Sequence, residues 1–177
     1  HPVEENFSLL QEKAESKGIA LKSEVDKASP VYADENMVNT VLRNLLSNAI
    51  KYTPSGGEVM LQAKDLPDQN RVQISVIDNG VGIEPENIPK IFDLTSSYTT
   101  KGTDSEKGTG LGIILCKDFV EKNHGTIWVE SEKDEGSAFH FTLPVYAHGN
   151  GSDWLKMKTY KQQYIIKASP EEVYTAL

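Results

Sequence analysis

Apolar residues recur at two spacings along the chain, and these spacings predict alternating helices and strands. A period of three to four residues predicts helices at 4–17, between an N-cap at 34 and a stop at 54, and at 109–122, and a short helix is expected around 85–92. A period of two residues predicts strands at 19–24, 31–33, 58–64, 71–78, 126–131 and 137–145. Asp34 stands at the N-cap of the second helix, and the Pro-Ser-Gly-Gly run at 54–57 ends that helix.

This order of elements predicts an α+β fold, with an open mixed sheet that carries its helices on one face. The core-facing stripe of the second helix is predicted to hold Val38, Val41, Leu42, Leu45, Ala49 and Tyr52. The last long helix is predicted to face inward with Leu111, Ile114, Leu115 and Phe119. Residues 95–108 show no periodicity and are rich in Thr, Ser, Gly and Lys. A segment of this kind inside a compact domain is usually a functional lid or is disordered.

Composition narrows the classes of partner and compartment. The formal net charge of −8 argues against a nucleic-acid partner, because phosphate backbones attract basic surfaces. No apolar run approaches the ~20 residues that span a bilayer, and no charged-then-apolar leader is present. We therefore expect this piece to be soluble, although the full-length parent protein could be anchored in a membrane elsewhere. The single cysteine, Cys116, lies in an apolar run and is expected to be a buried thiol. It cannot form an internal disulfide, which fits a reducing cytoplasm.

The second helix carries candidate chemistry on one flank of its apolar stripe. Asn44, Asn48 and Lys51 are spaced at i, i+4 and i+7 and therefore lie together at the boundary between core and solvent. An amide oxygen can ligate Mg²⁺, and an amine can meet a phosphate as a point charge. When this helix is considered alone, a solvated helix edge without a ligand accounts for the three polar residues equally well.

Two glycine-rich segments follow. Asp78 ends an apolar strand, and Gly80 and Gly82 after it allow a sharp turn and close approach to a flat ligand, although a plain turn is an equal alternative. The run Gly-Thr-Gly-Leu-Gly at 108–112 opens a helix, where free amides and the helix dipole favour an anion such as phosphate. The run lacks the Gly-Lys-Ser/Thr ending of a P-loop.

Taken in order, these segments resemble the GHKL family of ATPases and kinases, which includes gyrase, the heat-shock chaperone ATPase, the mismatch-repair ATPase and histidine kinases. Residues 44–53, Asn-Leu-Leu-Ser-Asn-Ala-Ile-Lys-Tyr-Thr, resemble the N box of histidine kinases. Residues 78–82 and 108–112 resemble the two glycine boxes, 91–92 the F box, and 136–144 the closing element. The resemblance covers about residues 4–145 and is closest to the catalytic domain of bacterial sensor kinases.

The resemblance implies a Bergerat-type two-layer α/β sandwich with a flexible ATP lid at about 95–107, and it implies ATP and Mg²⁺ as cofactors. It implies that Asn48 ligates Mg²⁺, that Lys51 and Tyr52 contact phosphates or ribose, and that Asp78 accepts from the adenine amino group. Asn44 and Lys51 are the positions it implies for catalysis. The nucleotide-binding set that it implies is Asn44, Asn48, Lys51, Tyr52, Asp78, Gly80, Gly82, Ile83, Lys107, Gly108, Thr109, Gly110, Leu111 and Gly112.

One position favours a kinase over a hydrolase. Hydrolysing members of the family carry a Glu one turn before the metal-binding Asn, whereas this chain has Asn44, which cannot act as a general base. An ATP hydrolase, a non-catalytic nucleotide-sensing or protein-binding module, and a serine kinase of the anti-sigma type remain the alternatives. We expect γ-phosphoryl transfer from MgATP to a histidine on separate dimerisation helices of the parent kinase, with a response regulator downstream and the isolated domain a monomer.

Two features depart from the family pattern. Asp134 replaces the first glycine of the last Gly-x-Gly. The phosphoacceptor motif His-Glu-x-x-x-Pro is absent, and none of His1, His124, His140 and His148 is a credible acceptor.

The chain divides into a predicted ATP-binding domain at 1–147, a linker at 148–157 and a tail at 158–177. The tail contains a predicted strand at 158–167 and resembles the opening of START-like proteins over about twenty residues. A frayed or read-through tail is an equal alternative.

Overall fold

The predicted alternation of helices and strands is present in a computed structural model that describes residues 2–25, 31–96, 102–104, 110–146 and 163–164. Its long helices are α1 (Pro2–Ser16), α2 (Glu35–Tyr52) and α3 (Gly112–Lys122). Its strands are β1 (Ala20–Val25), β2 (Val31–Tyr32), β3 (Glu58–Leu66), β4 (Arg71–Asp78), β5 (Ile127–Glu132), β6 (Gly136–Pro144) and β7 (Gln163–Tyr164). Short 3-10 helices lie at Pro67–Gln69 and Pro85–Lys90, the second where a short helix was predicted.

Five strands form one mixed sheet in the order β1-β3-β4-β6-β5. β1 runs parallel to β3, whereas the β3–β4, β4–β6 and β5–β6 pairs are antiparallel. The buried apolar residues of β3 and β4 alternate along each strand and join those of the three helices in one apolar cluster. The helices therefore form one layer and the sheet another, which confirms the predicted α+β fold.

Helix α2 lies at the centre of the helix layer, between α1 and α3. Its N-cap is Asp34 as predicted, and the Asp34 carboxylate accepts from the Met37 amide at 2.9 Å. The predicted stripe is buried except for Tyr52, which is half-buried. Leu46 and Ile50 are buried as well, since neighbouring helices cover both flanks of the stripe.

The predicted inward face of α3 is wrong in part. The helix begins at Gly112, three residues later than predicted, and its buried residues are Cys116 and Val120. Leu111 is 61% exposed and Leu115 39% exposed, although both were predicted to face inward. The reason is that α3 is apolar on more than one side, so spacing alone did not identify the side that packs against α2. Ile114 is also only half-buried, whereas Phe119 packs against the core as predicted.

Cys116 is fully buried at the contact between α3 and α2, as predicted. Its thiol approaches the Val41 carbonyl oxygen at 3.8 Å. Burial raises the pKa of the Cys116 thiol to about 12, which makes this side chain a packing residue and a poor nucleophile.

The described part of the tail is β7, which lies inside the strand predicted at 158–167 and pairs antiparallel with β2. β2 also forms an isolated bridge between Val31 and Val145 at the end of β6. The predicted linker at 148–157 lies outside the described residues, and the division into domain, linker and tail stays a prediction. Among the helices in the described ranges, none is both long and apolar enough to cross a bilayer.

Candidate nucleotide-binding site

The flank of α2 that carries Asn44, Asn48 and Lys51 is less exposed to solvent than a wet helix edge would be. Asn44 and Asn48 are half-buried, and Lys51 is only 7% exposed. The Asn44 amide donates to the Thr40 carbonyl at 3.0 Å, whereas the Asn48 side chain makes no hydrogen bond within the described part of the chain. The wet-edge alternative therefore does not describe Lys51.

The Lys51 side chain is mostly buried and its ammonium has no counter-charge among the described residues. Within the described residues its Nζ forms no ion pair and no hydrogen bond, and its nearest polarisable partner is the Tyr52 ring, with Nζ 4.9 Å from the ring centroid. An anion that reaches this ammonium can form a charge-assisted interaction for which no described residue competes.

The last turn of α2 is joined to the loop that follows β4. The Val81 amide donates to the Tyr52 carbonyl at 3.1 Å. A side chain at Gly80 would place its Cβ 2.3 Å from that same carbonyl oxygen, so only glycine allows this approach. The two predicted motifs, at 44–53 and 78–82, are therefore brought together.

Asp78 lies at the end of β4 with 8% of its surface exposed. Its Oδ1 accepts from the amides of Gly80 at 2.9 Å and Ser137 at 3.3 Å. Burial raises the pKa of the Asp78 carboxyl to about 6, against the lowering effect of those two hydrogen bonds. Oδ2 accepts no hydrogen bond from any described residue, which leaves it able to accept from a ligand amine.

The hairpin between β5 and β6 supports this loop, and the sequence did not single it out. The Ser131 hydroxyl accepts from the Ile83 amide at 2.9 Å, donates to the Gly136 carbonyl at 2.8 Å and lies 2.8 Å from the Ser137 hydroxyl. Ser131 and Ser137 are directly opposite in the strand register. The signal in the sequence that could have identified them is that two serines face each other on an otherwise apolar side of the predicted hairpin.

The hairpin turn also explains the departure at residue 134. Asp134 adopts φ of 64°, the left-handed region that Asp tolerates better than most residues, and its amide donates to the Val81 carbonyl at 2.8 Å. Gly82 has φ of 66°, and a Cβ there would lie 2.0 Å from the Glu132 carbonyl oxygen. The turn is thus retained without the family's first glycine.

The second glycine box is described only in part. Lys107, Gly108 and Thr109 lie outside the described residues. Gly110 is exposed with φ of 70°, and a Cβ at Gly112 would lie 3.1 Å from the Asn44 Oδ1 atom. The N-terminus of α3 therefore approaches the middle of α2, next to the half-buried amides.

Within the predicted lid, the structure describes residues 95–96 and 102–104. The Thr103 amide and hydroxyl both donate to the Lys51 carbonyl at 3.1 Å. This short stretch thus contacts the last turn of α2. The F-box residues Ile91 and Phe92 are half-buried just after the second 3-10 helix.

His140 is a packed residue of the sheet, as expected. The His140 ring is buried, lies 2.7 Å from the Ser75 hydroxyl and stacks on Trp128 with centroids 5.1 Å apart. Burial lowers the pKa of His140. His124 occupies the left-handed region at φ of 59° directly after α3. His1 and His148 lie outside the described residues.

No group of three or more His, Cys, Asp or Glu side chains in the described ranges could hold a metal by itself. The half-buried Asn48 amide, which has no hydrogen-bond partner there, nevertheless fits Mg²⁺. This ion usually keeps several waters and binds through one or two protein oxygens together with substrate phosphates. Its assignment as the magnesium ligand stays a prediction.

Residues 33–147 match the model of the family described as histidine kinase-, DNA gyrase B- and HSP90-like ATPase. The adaptive-response sensory kinase SasA of Microcystis aeruginosa is 39% identical over 144 residues, which are 81% of this chain and 37% of SasA. The chain thus spans less than half of that curated relative.

Solved structures give the same picture. The catalytic domain of histidine kinase ThkA is 31% identical with a TM-score of 0.67, over 81% of this chain and 90% of that one. Full-length ShkA in complex with AMPPNP is 29% identical with a TM-score of 0.67, over 82% of this chain and 29% of ShkA. ThkA in complex with response regulator protein TrrA is similar at 31% identity and a TM-score of 0.63, over 80% of this chain and 39% of that one.

Proposed function

The chain belongs to the family of histidine kinase-, DNA gyrase B- and HSP90-like ATPases, and we propose that it is the catalytic domain that positions MgATP in a two-component sensor histidine kinase. The γ-phosphoryl group would pass to a histidine on the dimerisation helices of the parent kinase. ATP supplies this reaction in the cytoplasm, which is therefore the proposed compartment.

One observation carries the proposal. Lys51 and Asp78 are buried ionisable groups of opposite sign on two segments joined by the Val81–Tyr52 hydrogen bond, yet they do not form an ion pair with each other. Each is therefore left to interact with a ligand. ATP offers the complementary pair, since its amino group can donate to Asp78 and its phosphates can meet Lys51.

The remaining residues are assigned around that pair. Gly80, Gly82 and Ile83 would form the wall beside the adenine ring, and Tyr52 would contact ribose or phosphate. Asn48 would hold Mg²⁺, which neutralises phosphate charge when it is bound. The amides at 108–112, with Lys107 beside them, would hold the phosphates at the N-terminus of α3.

Asn44 supports a kinase rather than a hydrolase. It occupies the position at which hydrolysing members carry a glutamate, and its amide is already bonded to the Thr40 carbonyl. An amide cannot take a proton from water, whereas a neutral imidazole needs no base to act as the nucleophile. Asn44 and Lys51 would instead orient the phosphates and balance their charge.

The partners proposed are the dimerisation helices and a response regulator. Leu94 is 75% exposed and Leu111 61% exposed, both in segments that flank the predicted lid. Apolar side chains exposed there are suited to an apolar helix face. The complex of ThkA with TrrA supports a response regulator as the later partner. The isolated domain is proposed to be a monomer.

Calorimetric titration with AMPPNP, with and without Mg²⁺, tests the nucleotide site. Saturable binding that Mg²⁺ strengthens and that GTP analogues do not compete for is expected. A folded chain that binds no nucleotide would overturn the proposal. An Asp68→Asn variant is the matched control, because this aspartate is exposed in the 3-10 helix Pro67–Gln69 and should bind as the unaltered chain does.

A further inference from the structure

The carbonyl groups at the C-terminal end of α2 receive donors from outside the helix. A helix leaves its last four carbonyls without partners inside it, and its C-terminal end attracts cations. Here the Lys17 ammonium donates to the Ile50 carbonyl at 3.0 Å and to the Lys51 carbonyl at 2.9 Å. Lys17 therefore holds two consecutive peptide groups of the turn that carries the Lys51 side chain.

Lys17 reaches this turn from a fixed position. It directly follows α1, and its amide donates to the carbonyls of Lys13 and Ala14. Gly18 after it has φ of 71°, and the Gly56 amide donates to the Gly18 carbonyl at 2.8 Å. The backbone at Lys17 and Gly18 is thus tied both to α1 and to the segment after α2.

We propose that Lys17 is a positioning residue for the phosphate end of the nucleotide. The proposal rests on the proposed function. Lys17 shares the Lys51 carbonyl with the Thr103 amide and hydroxyl, and together these donors fix the backbone from which the Lys51 side chain extends. Within the described residues, the Asp78 carboxylate accepts from the Gly80 and Ser137 amides and makes no hydrogen bond with Lys17, so the loss of Lys17 should affect the phosphate end more than the adenine end.

The test compares two ligands across three variants. Lys17→Met keeps the apolar stem and removes the donor, Lys17→Arg keeps charge and donors, and Lys13→Met changes an exposed lysine one turn earlier on α1. AMPPNP with Mg²⁺ is titrated by calorimetry, and adenosine, which has no phosphate, by NMR. Circular dichroism at the same temperature checks that each variant is folded.

Lys17→Met is expected to weaken AMPPNP binding by about tenfold, as if the contact between the Lys51 ammonium and the phosphates were largely lost. Adenosine affinity should stay unchanged, Lys17→Arg should recover most of the loss, and Lys13→Met should match the unaltered chain. If Lys17→Met does not fold, Lys17→Gln, which keeps an N–H donor without charge, carries the same comparison.

The outcomes separate the two proposals. Equal losses for AMPPNP and adenosine would indicate a merely structural role and overturn this inference, as would no loss at all. A folded, unaltered chain that binds neither ligand would overturn the proposed function, and this inference with it.

Discussion

Asp78→Asn is expected to change stability and nucleotide binding in opposite directions. The Asp78 carboxyl is buried, and burial raises its pKa from the ordinary 3.8 to about 6. At neutral pH the folded protein must therefore keep a carboxylate in a place that disfavours the charge. We propose that this carboxylate is a strong acceptor for the adenine amine. It should therefore favour nucleotide binding and lower the free energy of unfolding at the same time.

The magnitude follows from the difference between the folded and unfolded pKa values. Between pH 3.8 and about 6 the folded state holds the Asp78 proton more tightly than the unfolded state does. The stability that protonated Asp78 contributes is thus fully present below its pKa in the unfolded state, and it is lost as the pH rises through its pKa in the folded state. A shift of roughly two units corresponds to about 3 kcal/mol at 1.36 kcal/mol per unit.

Asparagine cannot ionise, but its side-chain oxygen can still accept from the Gly80 and Ser137 amides. Asp78→Asn should therefore match the unaltered chain below about pH 4 and exceed its free energy of unfolding by up to about 3 kcal/mol above about pH 7. The assay is urea unfolding followed by circular dichroism across this pH range, without nucleotide. His140 also titrates, but its contribution is common to both proteins and cancels.

Calorimetry on the same samples should show that Asp78→Asn has lost AMPPNP binding. Asp68→Asn is the control for both experiments and should show neither effect. An Asp78→Asn variant whose stability advantage does not grow with pH would refute the reasoning about burial. Undiminished AMPPNP affinity would refute the assignment of Asp78 to the amine.

The other predictions concern the opposite end of the site and the loop. Lys51→Met should lower AMPPNP affinity by about tenfold or more and lower the urea midpoint only slightly, because the described residues give this ammonium no ion pair and its contact with the Tyr52 ring is worth about 1 kcal/mol. A large drop in the midpoint would contradict this. Asn48→Ala should abolish the Mg²⁺ dependence of calorimetric binding and spare the Mg²⁺-free affinity; retained dependence would exclude Asn48 as the ligand. Gly82→Ala should cost about 2 kcal/mol or more in urea unfolding, since a Cβ would strike the Glu132 carbonyl at a positive φ; unchanged stability would contradict the geometry.

Local patterns predicted the elements of this fold well. The N-cap at Asp34, the apolar stripe of α2 and the succession of helices and strands along the chain were all accessible from the sequence. These features depend on residues close together in the chain, where spacing and capping decide the structure.

Features that depend on contacts between distant segments were not accessible in the same way. The packed side of α3 depends on its contact with α2, so Leu111 and Leu115 were placed inward although they are exposed. The support that Ser131 gives to the Ile83 amide depends on the hairpin register. The bonds from Lys17 to the end of α2 join residues more than thirty positions apart.

The central claim is that this domain gives the γ-phosphoryl group of ATP to a histidine. The most direct measurement mixes the chain with the dimerisation helices of its parent, Mg²⁺ and γ-labelled ATP, and follows the label over time. The account predicts an acid-labile, base-stable label on the helix fragment, lost when the acceptor histidine is replaced by alanine. Label released as free phosphate while the fragment stays unlabelled would contradict the account and identify the chain as an ATP hydrolase.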